Sequence, residues 1–245
     1  MTIDILWMAG TGFPHGGDGV SEDFHHWLTL LDKDERFRFK YVSYPADFGL
    51  HYNYDDSVRT GITNLAYAVD DSPNEVIIGG YSQGADVAGE VGRMYARGAL
   101  QGLSIRGVIL IADPWRPEDV DGVGGSGIRG ARGMDDMPVL WCSNPGDPIT
   151  ALPDGNPLRS VADVSTFMAA SVDPVRQFQL WTQVTEAARA GRLQRWWDIK
   201  NWMSWGGALA YARGYLWDQK HTGEYVSHGL TATLARQVVD RAWTE

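Results

Sequence analysis

The segment Gly80-Tyr81-Ser82-Gln83-Gly84 constrains the fold more than any other stretch of this 245-residue sequence. An apolar run typical of a buried strand, Glu75–Gly79, leads into it, and a helical pattern rich in small residues, Gln83–Ala96, continues from it. Glycines on both sides of a serine allow a sharp strand-to-helix turn that presents the serine in strained backbone geometry. A serine in an ordinary glycine turn would also fit, so the rest of the sequence must decide whether Ser82 is a nucleophile.

Apolar runs and helical patterns alternate over the first two thirds of the chain. The predicted strands are Ile3–Met8, Phe37–Ser43, Glu75–Gly79, Gly107–Ala112 and Pro138–Cys142. The predicted helices are Phe24–Leu31, Asp56–Val69, Gln83–Ala96 and, near the end, Leu230–Trp243. Strands that are apolar throughout and separated by helices are typical of a sheet covered by helices on both faces. The sequence therefore predicts an α/β fold with a central, mainly parallel sheet.

The pattern changes between residues 156 and 218, where the apolar period becomes helical. Six of the 11 tryptophans lie in this stretch: Trp181, Trp196, Trp197, Trp202, Trp205 and Trp217. We expect a helical subdomain inserted into the α/β core, with 1–155 and 219–245 forming the core and 156–218 the insertion. Its tryptophans would either fill the core of the subdomain or line an apolar groove for a long acyl chain, since aromatic side chains offer large apolar areas.

Charge and cysteine content narrow the possible partners and surroundings. Lys and Arg number 21 against 31 Asp and Glu, and the resulting net charge of −10 argues against nucleic acid. The first residues, MTIDILWMAG, lack the basic segment of a secretory signal, and no apolar run reaches the ~20 residues of a membrane span. The single cysteine, Cys142, excludes an intrachain disulfide and a cysteine-rich metal site, so we expect synthesis in a reducing cytoplasm.

A serine hydroxyl needs a base to take its proton and a carboxylate to orient that base. When the serine lies at a strand-to-helix turn of this kind, the order along the chain is Ser, then Asp or Glu, then His. Only His221 and His228 follow Ser82, both before the last predicted helix. We favour His221, because the loop after it leaves its ring room to turn toward the serine. His228 abuts the helix and remains the alternative base.

Three aspartates after the serine are candidates for the carboxylate. Asp147 follows the strand that ends at Cys142, in a loop with two prolines and a glycine that would fix its position. Such a loop suits an aspartate that must hold an imidazole in one tautomer. Asp113 also ends a strand, although like Asp147 it would serve equally well to cap a turn, and Asp154 lies in a Leu-Pro-Asp-Gly-Asn segment. We favour Asp147.

Two peptide N–H groups are candidates for binding the oxyanion of acyl transfer. Gln83 begins the helix after the serine, so its N–H would point at the developing negative charge. The second donor should come from the loop after the first strand, where Thr11 offers an N–H and a hydroxyl between two glycines. The Gly10–Gly12 segment would otherwise be a simple tight turn. We expect this chemistry to need no metal and no organic cofactor.

One further motif, Gly122–Gly127, formally matches the G-x-G-x-x-G pattern of dinucleotide-binding proteins. In those proteins the pattern follows a strand and opens a helix, and neither is predicted around this stretch. We interpret it as a mobile loop between two strands.

Taken together, these motifs resemble the cutinase-type branch of the serine α/β-hydrolases. The resemblance rests on GYSQG after a strand, on CSNPGDPI about sixty residues later, and on a histidine in a loop before the last helix. It covers Ile3–Pro153 and His221–Trp243 and implies a cutinase-like α/β-hydrolase core. The site residues that the resemblance implies are the nucleophile Ser82, the carboxylate Asp147, the base His221, and the oxyanion donors Thr11 and Gln83.

The Gly10–Gly12 turn and Tyr44-Pro45-Ala46 are similar to a narrower group, the lysin B esterases of mycobacteriophages. This resemblance implies a serine esterase that cleaves the mycolic acid–arabinogalactan ester of the mycobacterial envelope during phage lysis. The protein would be made in the host cytoplasm without a signal peptide, and its partner would be a lipid-ester substrate. The alternatives are a cytoplasmic esterase or thioesterase for small soluble acyl substrates and a catalytically silent binding protein with the same fold.

The sequence departs from the family pattern in two places. Secreted cutinases have a second cysteine after the aspartate, where this chain has Thr150 and Ala151, and this difference favours the phage group. His221 and Tyr225 are one residue farther apart than in the usual His-x-x-Tyr spacing, which keeps His228 open. Because no separate peptidoglycan-binding module is recognised before the core, we expect wall targeting to come from the catalytic domain.

Overall fold

A five-stranded parallel sheet forms the centre of the computed structural model, which describes residues 2–47, 52, 54–134, 137–154, 156 and 219–243. Its strands are β1 (Ile3–Met8), β2 (Phe37–Tyr41), β3 (Glu75–Tyr81), β4 (Ile105–Ile111) and β5 (Val139–Cys142). They lie in the order β2-β1-β3-β4-β5, and every neighbouring pair is parallel. The predicted α/β fold with a parallel sheet is therefore confirmed. The predicted helical insertion lies outside the described residues.

Helices cover both faces of the sheet. They are α1 (Gly19–Leu31), α2 (Tyr54–Asp70), α3 (Gln83–Ala96), α4 (Gly223–Ser227) and α5 (Leu230–Asp240). Successive side chains of a strand point to opposite faces, so β1 contributes to two apolar clusters. Trp7 packs with Phe24 of α1 and Leu234 of α5, whereas Met8 belongs to the cluster of Leu65 from α2. The continuous apolar character of the strands follows from this double coverage.

The ends of two helices differ from the predicted bounds because side-chain hydrogen bonds decide where they begin and end. Helix α1 begins at Gly19, five residues before the apolar period starts, because the Asp18 side chain caps it by accepting the Ser21 N–H at 2.8 Å. Helix α5 ends at Asp240 and not at Trp243. The Trp243 indole instead donates to the Val238 carbonyl and is buried in the cluster of α1 and α5.

A buried ionic cluster joins α3 to the end of β4. The Arg132 guanidinium lies 3.2 Å from Asp86 Oδ1 and 3.1 Å from Asp113 Oδ1. Burial raises the pKa of Asp113 to about 6, although the charge of Arg132 opposes this shift. The raised pKa means that the native state binds a proton at Asp113 more tightly than the unfolded chain does.

We expect Asp113→Asn to change how the free energy of unfolding depends on pH. The protonated carboxyl stabilises the native state below the ordinary value of 3.8, and this contribution is lost as the pH rises through about 6. Asparagine cannot ionise, so the stability of the wild type relative to the variant should increase by about 1 kcal/mol per unit as the pH falls from 6 to 4.5. Urea unfolding of both proteins across this range measures the difference.

The matched control for this prediction is Asp4→Asn. Burial alone would raise the pKa of Asp4, but the hydrogen bonds and charge of Lys40, with hydrogen bonds from Ser72 and Asn74, lower it overall. Its stabilising contribution is therefore lost only below pH 3.8. The difference between this variant and the wild type should stay constant from pH 6 to 4.5. A constant difference for Asp113→Asn as well would contradict the prediction.

Candidate active site

Ser82 lies at the sharp turn between β3 and α3. Its backbone has φ 56° and ψ −117°, a conformation that costs energy in a residue with a side chain. The neighbouring strand holds it there, because the Ser82 N–H donates to the Ile111 carbonyl at 2.9 Å. The first turn of α3 also holds it, because the Asp86 N–H donates to the Ser82 carbonyl at 3.1 Å. The strained strand-to-helix turn expected from the motif is present.

The two flanking glycines are required by close contacts between backbones. A Cβ atom on Gly80 would lie 2.3 Å from the carbonyl of Gly84, and one on Gly84 would lie 2.0 Å from the carbonyl oxygen of Met8. Both distances are far shorter than any van der Waals contact. Glycine at these positions therefore lets α3 begin directly against β1 and β3, which places the serine at the edge of the sheet.

His221 bridges Ser82 and Asp147. Its Nε2 atom lies 2.8 Å from Ser82 Oγ, and its Nδ1 atom lies 2.8 Å from Asp147 Oδ2. The site is largely enclosed, since Ser82 is 6% exposed, His221 is 4% exposed and Asp147 is fully buried. Three residues from distant parts of the chain thus form one hydrogen-bonded line. The His221 tautomer that carries its proton on Nδ1 fits this line, because its Nε2 can then accept a hydrogen bond from the Ser82 hydroxyl.

Asp147 is fixed by donors from several elements. Besides His221, the Tyr225 hydroxyl of α4 donates to Oδ2 at 2.8 Å, and the Ile149 N–H donates to Oδ1 at 2.9 Å. Tyr225 is itself held, because its hydroxyl accepts the Asn144 N–H at 3.1 Å. In the sequence, Tyr225 stands out only for its spacing from the histidine, and no pattern shows that its hydroxyl contacts Asp147.

The backbone of His221 is anchored by Tyr81, the residue before the serine. The Tyr81 hydroxyl donates to the His221 carbonyl at 2.6 Å, and the two rings stack with centroids 5.3 Å apart. The side chain at the end of β3 therefore positions the histidine that faces the serine at the start of α3.

A cavity of about 650 Å³ opens beside Ser82 and His221. Its lining includes the apolar side chains of Phe13 and Val226, which are 38% and 39% exposed. Volumes of 300–1,000 Å³ are typical of sites that hold a small ligand. The lining also includes Thr11, Asp18, Gly19, Val20, Tyr81, Gln219, Thr222, Gly223 and Ser227.

The overall fold of this chain is similar to that of a solved structure. Lysin B from Mycobacteriophage D29 superposes with a TM-score of 0.51 over 70% of this chain and 75% of that chain, at 19% identity. The chain therefore shares the fold of this lysin B structure. The resemblance seen in the sequence is thus confirmed at the level of the fold.

Two further structures of cutinase type are more distant in shape. A cutinase-like protein from Cryptococcus sp. gives a TM-score of 0.44 over 69% of this chain and 92% of that chain, at 21% identity. Trichoderma reesei cutinase in complex with a phosphonate inhibitor also gives 0.44, over 98% of this chain and 77% of that chain, at 17% identity. No family model matches the sequence, and no curated protein matches it.

Within this fold, the alternative candidates for the base and the carboxylate lie in other surroundings. The His228 side chain is 56% exposed, and its Nδ1 atom is 4.0 Å from Glu224 Oε2. Asp113 belongs to the buried cluster with Arg132, and Asp154 is exposed on the surface. Of the predicted histidines and aspartates, the structure brings His221 and Asp147 to the serine.

The two expected oxyanion donors lie in different parts of the fold. Gln83 is the first residue of α3, so its N–H is one of the helix's first four and has no acceptor within the helix. Its buried side chain accepts from the Ser57 hydroxyl at 3.1 Å and donates to the Asp47 carbonyl at 3.0 Å, which anchors the start of α3. Thr11 lies between β1 and α1 and lines the cavity next to Ser82.

The glycine-rich stretch 122–127 lies between β4 and β5, as expected, but it is held in place and does not have the contacts of a mobile loop. The buried Arg116 side chain donates to the Gly124 carbonyl at 3.0 Å and to the Gly125 carbonyl at 2.7 Å. Its Nε also donates to the Thr150 carbonyl at 2.8 Å, in the loop that carries Asp147. The same arginine therefore supports the carboxylate loop.

Among the residues that the structure describes, no group of three or more His, Cys, Asp or Glu side chains is placed to hold a metal ion. No helix in this part of the chain combines the length and the hydropathy needed to cross a membrane. Cys142 is buried as a free thiol, and burial raises its pKa.

Proposed function

We propose that this protein is a serine esterase in which Ser82 is the nucleophile, His221 the base and Asp147 the carboxylate that orients the base. The observation that carries the proposal is the pair of 2.8 Å contacts on the two nitrogens of His221. The strained turn at Ser82 and the chain order Ser, Asp, His support the same roles. The similarity in fold to lysin B from Mycobacteriophage D29 agrees with them.

In the proposed acylation step, Ser82 Oγ attacks the ester carbonyl and its proton moves to His221 Nε2. Asp147 accepts the N–H of Nδ1, holds the imidazole in the required tautomer and stabilises the imidazolium that forms. The N–H groups of Gln83 and Thr11 donate to the carbonyl oxygen as it gains negative charge. The tetrahedral intermediate then collapses, and the alcohol leaves with the proton from His221.

In the proposed deacylation step, a water molecule takes the place of the alcohol. His221 Nε2 accepts a proton from this water as its oxygen attacks the acyl carbonyl. The second tetrahedral intermediate uses the same two N–H donors. Its collapse returns the proton to Ser82 Oγ and releases the carboxylic acid, which leaves the enzyme as it began.

We propose that the substrate is a lipid ester, most specifically the mycolic acid–arabinogalactan ester of a mycobacterial-type envelope. Phe13, Val20 and Val226 give the cavity beside Ser82 an apolar wall suited to an acyl chain. The GTG turn and the Tyr44–Ala46 segment, which resemble those of lysin B esterases, support the narrower assignment. In this proposal the protein is made in the host cytoplasm and acts on the envelope at lysis, and the 156–218 insertion contributes to acyl binding.

The test is to incubate the purified protein with mycolate-bearing cell-wall material and to separate the released lipids by chromatography. We expect free mycolic acids from the wild type and none from Ser82→Ala. A parallel series of p-nitrophenyl esters should be hydrolysed faster as the acyl chain lengthens from acetate, because more apolar area is buried in the cavity.

One outcome would contradict the proposed substrate, and another would contradict the esterase activity itself. Hydrolysis of short soluble esters or thioesters without any release of mycolic acids would support a cytoplasmic esterase with another substrate. A protein that neither hydrolyses any ester nor reacts with a fluorophosphonate would be a binding protein with a hydrolase fold.

A further inference from the structure

Asp18 is a buried acid next to the candidate nucleophile that the proposed reaction does not use. It lies between β1 and α1, is 3% exposed, and lines the same cavity as Ser82 and His221. Its hydrogen-bond donors are uncharged: the Ser21 N–H at 2.8 Å, the Ser21 hydroxyl at 2.7 Å and the Gly10 N–H at 3.0 Å. Burying a carboxylate costs free energy, so an acid at this position requires an explanation.

Capping of α1 does not by itself explain an acid at this position. Asparagine or serine caps a helix about as well as aspartate and brings no charge into the interior. Burial raises the pKa of Asp18, and the hydrogen bonds from Ser21 and Gly10 only partly oppose this shift. What the carboxylate adds is a second acceptor oxygen, so that one side chain can accept the Ser21 N–H on Oδ1 and the Gly10 N–H on Oδ2.

The Gly10 contact fixes the turn that contains Thr11. On the side before the turn, the Tyr44 hydroxyl donates to the Ala9 carbonyl at 2.6 Å. On the side after it, the Gly12 N–H donates to the Ala46 carbonyl at 2.8 Å. With the Asp18 contact at Gly10, both ends of the Ala9–Gly10 peptide group and the N–H of the Thr11–Gly12 peptide group are therefore held by other segments.

Close packing leaves this turn little freedom to shift. A Cβ atom on Gly10 would lie 2.8 Å from Cδ1 of Tyr81, the residue before the nucleophile. In the part of the chain that the structure describes, no protein oxygen accepts the Thr11 N–H, although Thr11 lines the cavity. A fixed turn thus holds this peptide donor in the wall of the cavity that Ser82 also lines.

We propose that Asp18 is a positioning residue that clamps Gly10 to the start of α1, so that the Thr11 N–H is aimed at the substrate oxygen that becomes an oxyanion. This inference rests on the proposed esterase function. Donors that are already oriented stabilise the transition state without reorganising during the reaction. The clamp acts through Thr11 and does not touch the reacting atoms.

The test is Asp18→Asn, which separates the two contacts of the carboxylate. The asparagine oxygen can still accept the Ser21 N–H and cap α1, but its NH₂ group then faces the Gly10 N–H, and two donors oppose each other. We expect kcat for ester hydrolysis to fall roughly 10- to 100-fold with KM changed less than about twofold, because a misplaced oxyanion donor affects only the transition state.

The matched control is Asp32→Asn, the same substitution at the other end of α1. Asp32 is also buried and also accepts a backbone N–H, that of Phe37 at 2.8 Å, but it is not among the residues that line the described cavity. We expect this variant to keep the kcat and KM of the wild type even where its thermal stability falls. A similar loss of kcat in both variants would overturn the inference.

A second measurement does not depend on catalysis. Amide hydrogen exchange followed by NMR should show the Gly10 N–H exchanging roughly tenfold faster in Asp18→Asn, while the Ser21 N–H stays protected. Unchanged protection at Gly10 would refute the clamp. A wild type that hydrolyses no ester would refute the proposed function instead, and the exchange data would still decide whether Asp18 positions the turn.

Discussion

Ser82→Ala is expected to lower the rate of ester hydrolysis by a factor of about 10⁶ while the protein stays folded. The substitution removes the only atom that forms the acyl-enzyme in the proposed reaction. It leaves the β3–α3 turn intact, because alanine has the same Cβ atom and must adopt the same φ of 56°. Little change in the midpoint of thermal unfolding should therefore accompany the loss of activity. The measurements are kcat/KM on a p-nitrophenyl ester and the unfolding curve.

Covalent labelling with a fluorophosphonate gives a second measure of the same substitution. The wild type should be labelled with one equivalent of the fluorophosphonate, because a serine activated by a base attacks the phosphorus. Ser82→Ala should not be labelled. Ser72→Ala is the matched control, since the Ser72 hydroxyl donates to Asp4 at the opposite edge of the sheet. That variant should keep full activity and labelling. Hydrolysis at the wild-type rate by Ser82→Ala would remove the basis for every role proposed above.

The site residues that sequence analysis favoured are those that the structure brings together, and the reason lies in the chain order. A serine at a strand-to-helix turn places the nucleophile at the carboxyl edge of a parallel sheet, where the loops after later strands also emerge. Asp147 follows the last described strand, and only two histidines come after the serine. Residue order and strand position therefore leave few candidates for the base and the carboxylate.

The supporting residues could not be found in this way. Tyr225 and Arg116 contact groups that are distant in the chain, and no local pattern shows which groups will meet. Asp18 has nearby partners, but the sequence does not show that one carboxylate joins Gly10 to the start of α1. Arg116 illustrates the difficulty, because a charged residue is usually exposed, yet here four acceptors from two loops allow it to be buried. The glycine-rich stretch beside it seemed mobile only because these contacts do not show in the sequence.

His221→Ala is expected to lower kcat by a factor of about 10⁴ to 10⁶, and His228→Ala is expected to change it less than about twofold. His221 is the histidine whose Nε2 lies 2.8 Å from Ser82 Oγ, so its loss leaves the serine proton without an acceptor. His228 is more than half exposed and lies near Glu224, with no part in the hydrogen-bonded line. Both variants are compared on the same ester at the same pH.

A double variant distinguishes a shared catalytic role of the two residues from two independent effects on activity. If Ser82 and His221 act as one unit, the base has no function once the serine is gone, and Ser82→Ala with His221→Ala together should be no slower than the slower single variant. If the two residues merely stabilised the site independently, their losses would multiply. A normal rate in His221→Ala with a loss in His228→Ala would reverse the assignment of the base. Multiplying losses in the double variant would mean that the 2.8 Å contact between Ser82 and His221 does not carry a proton during the reaction.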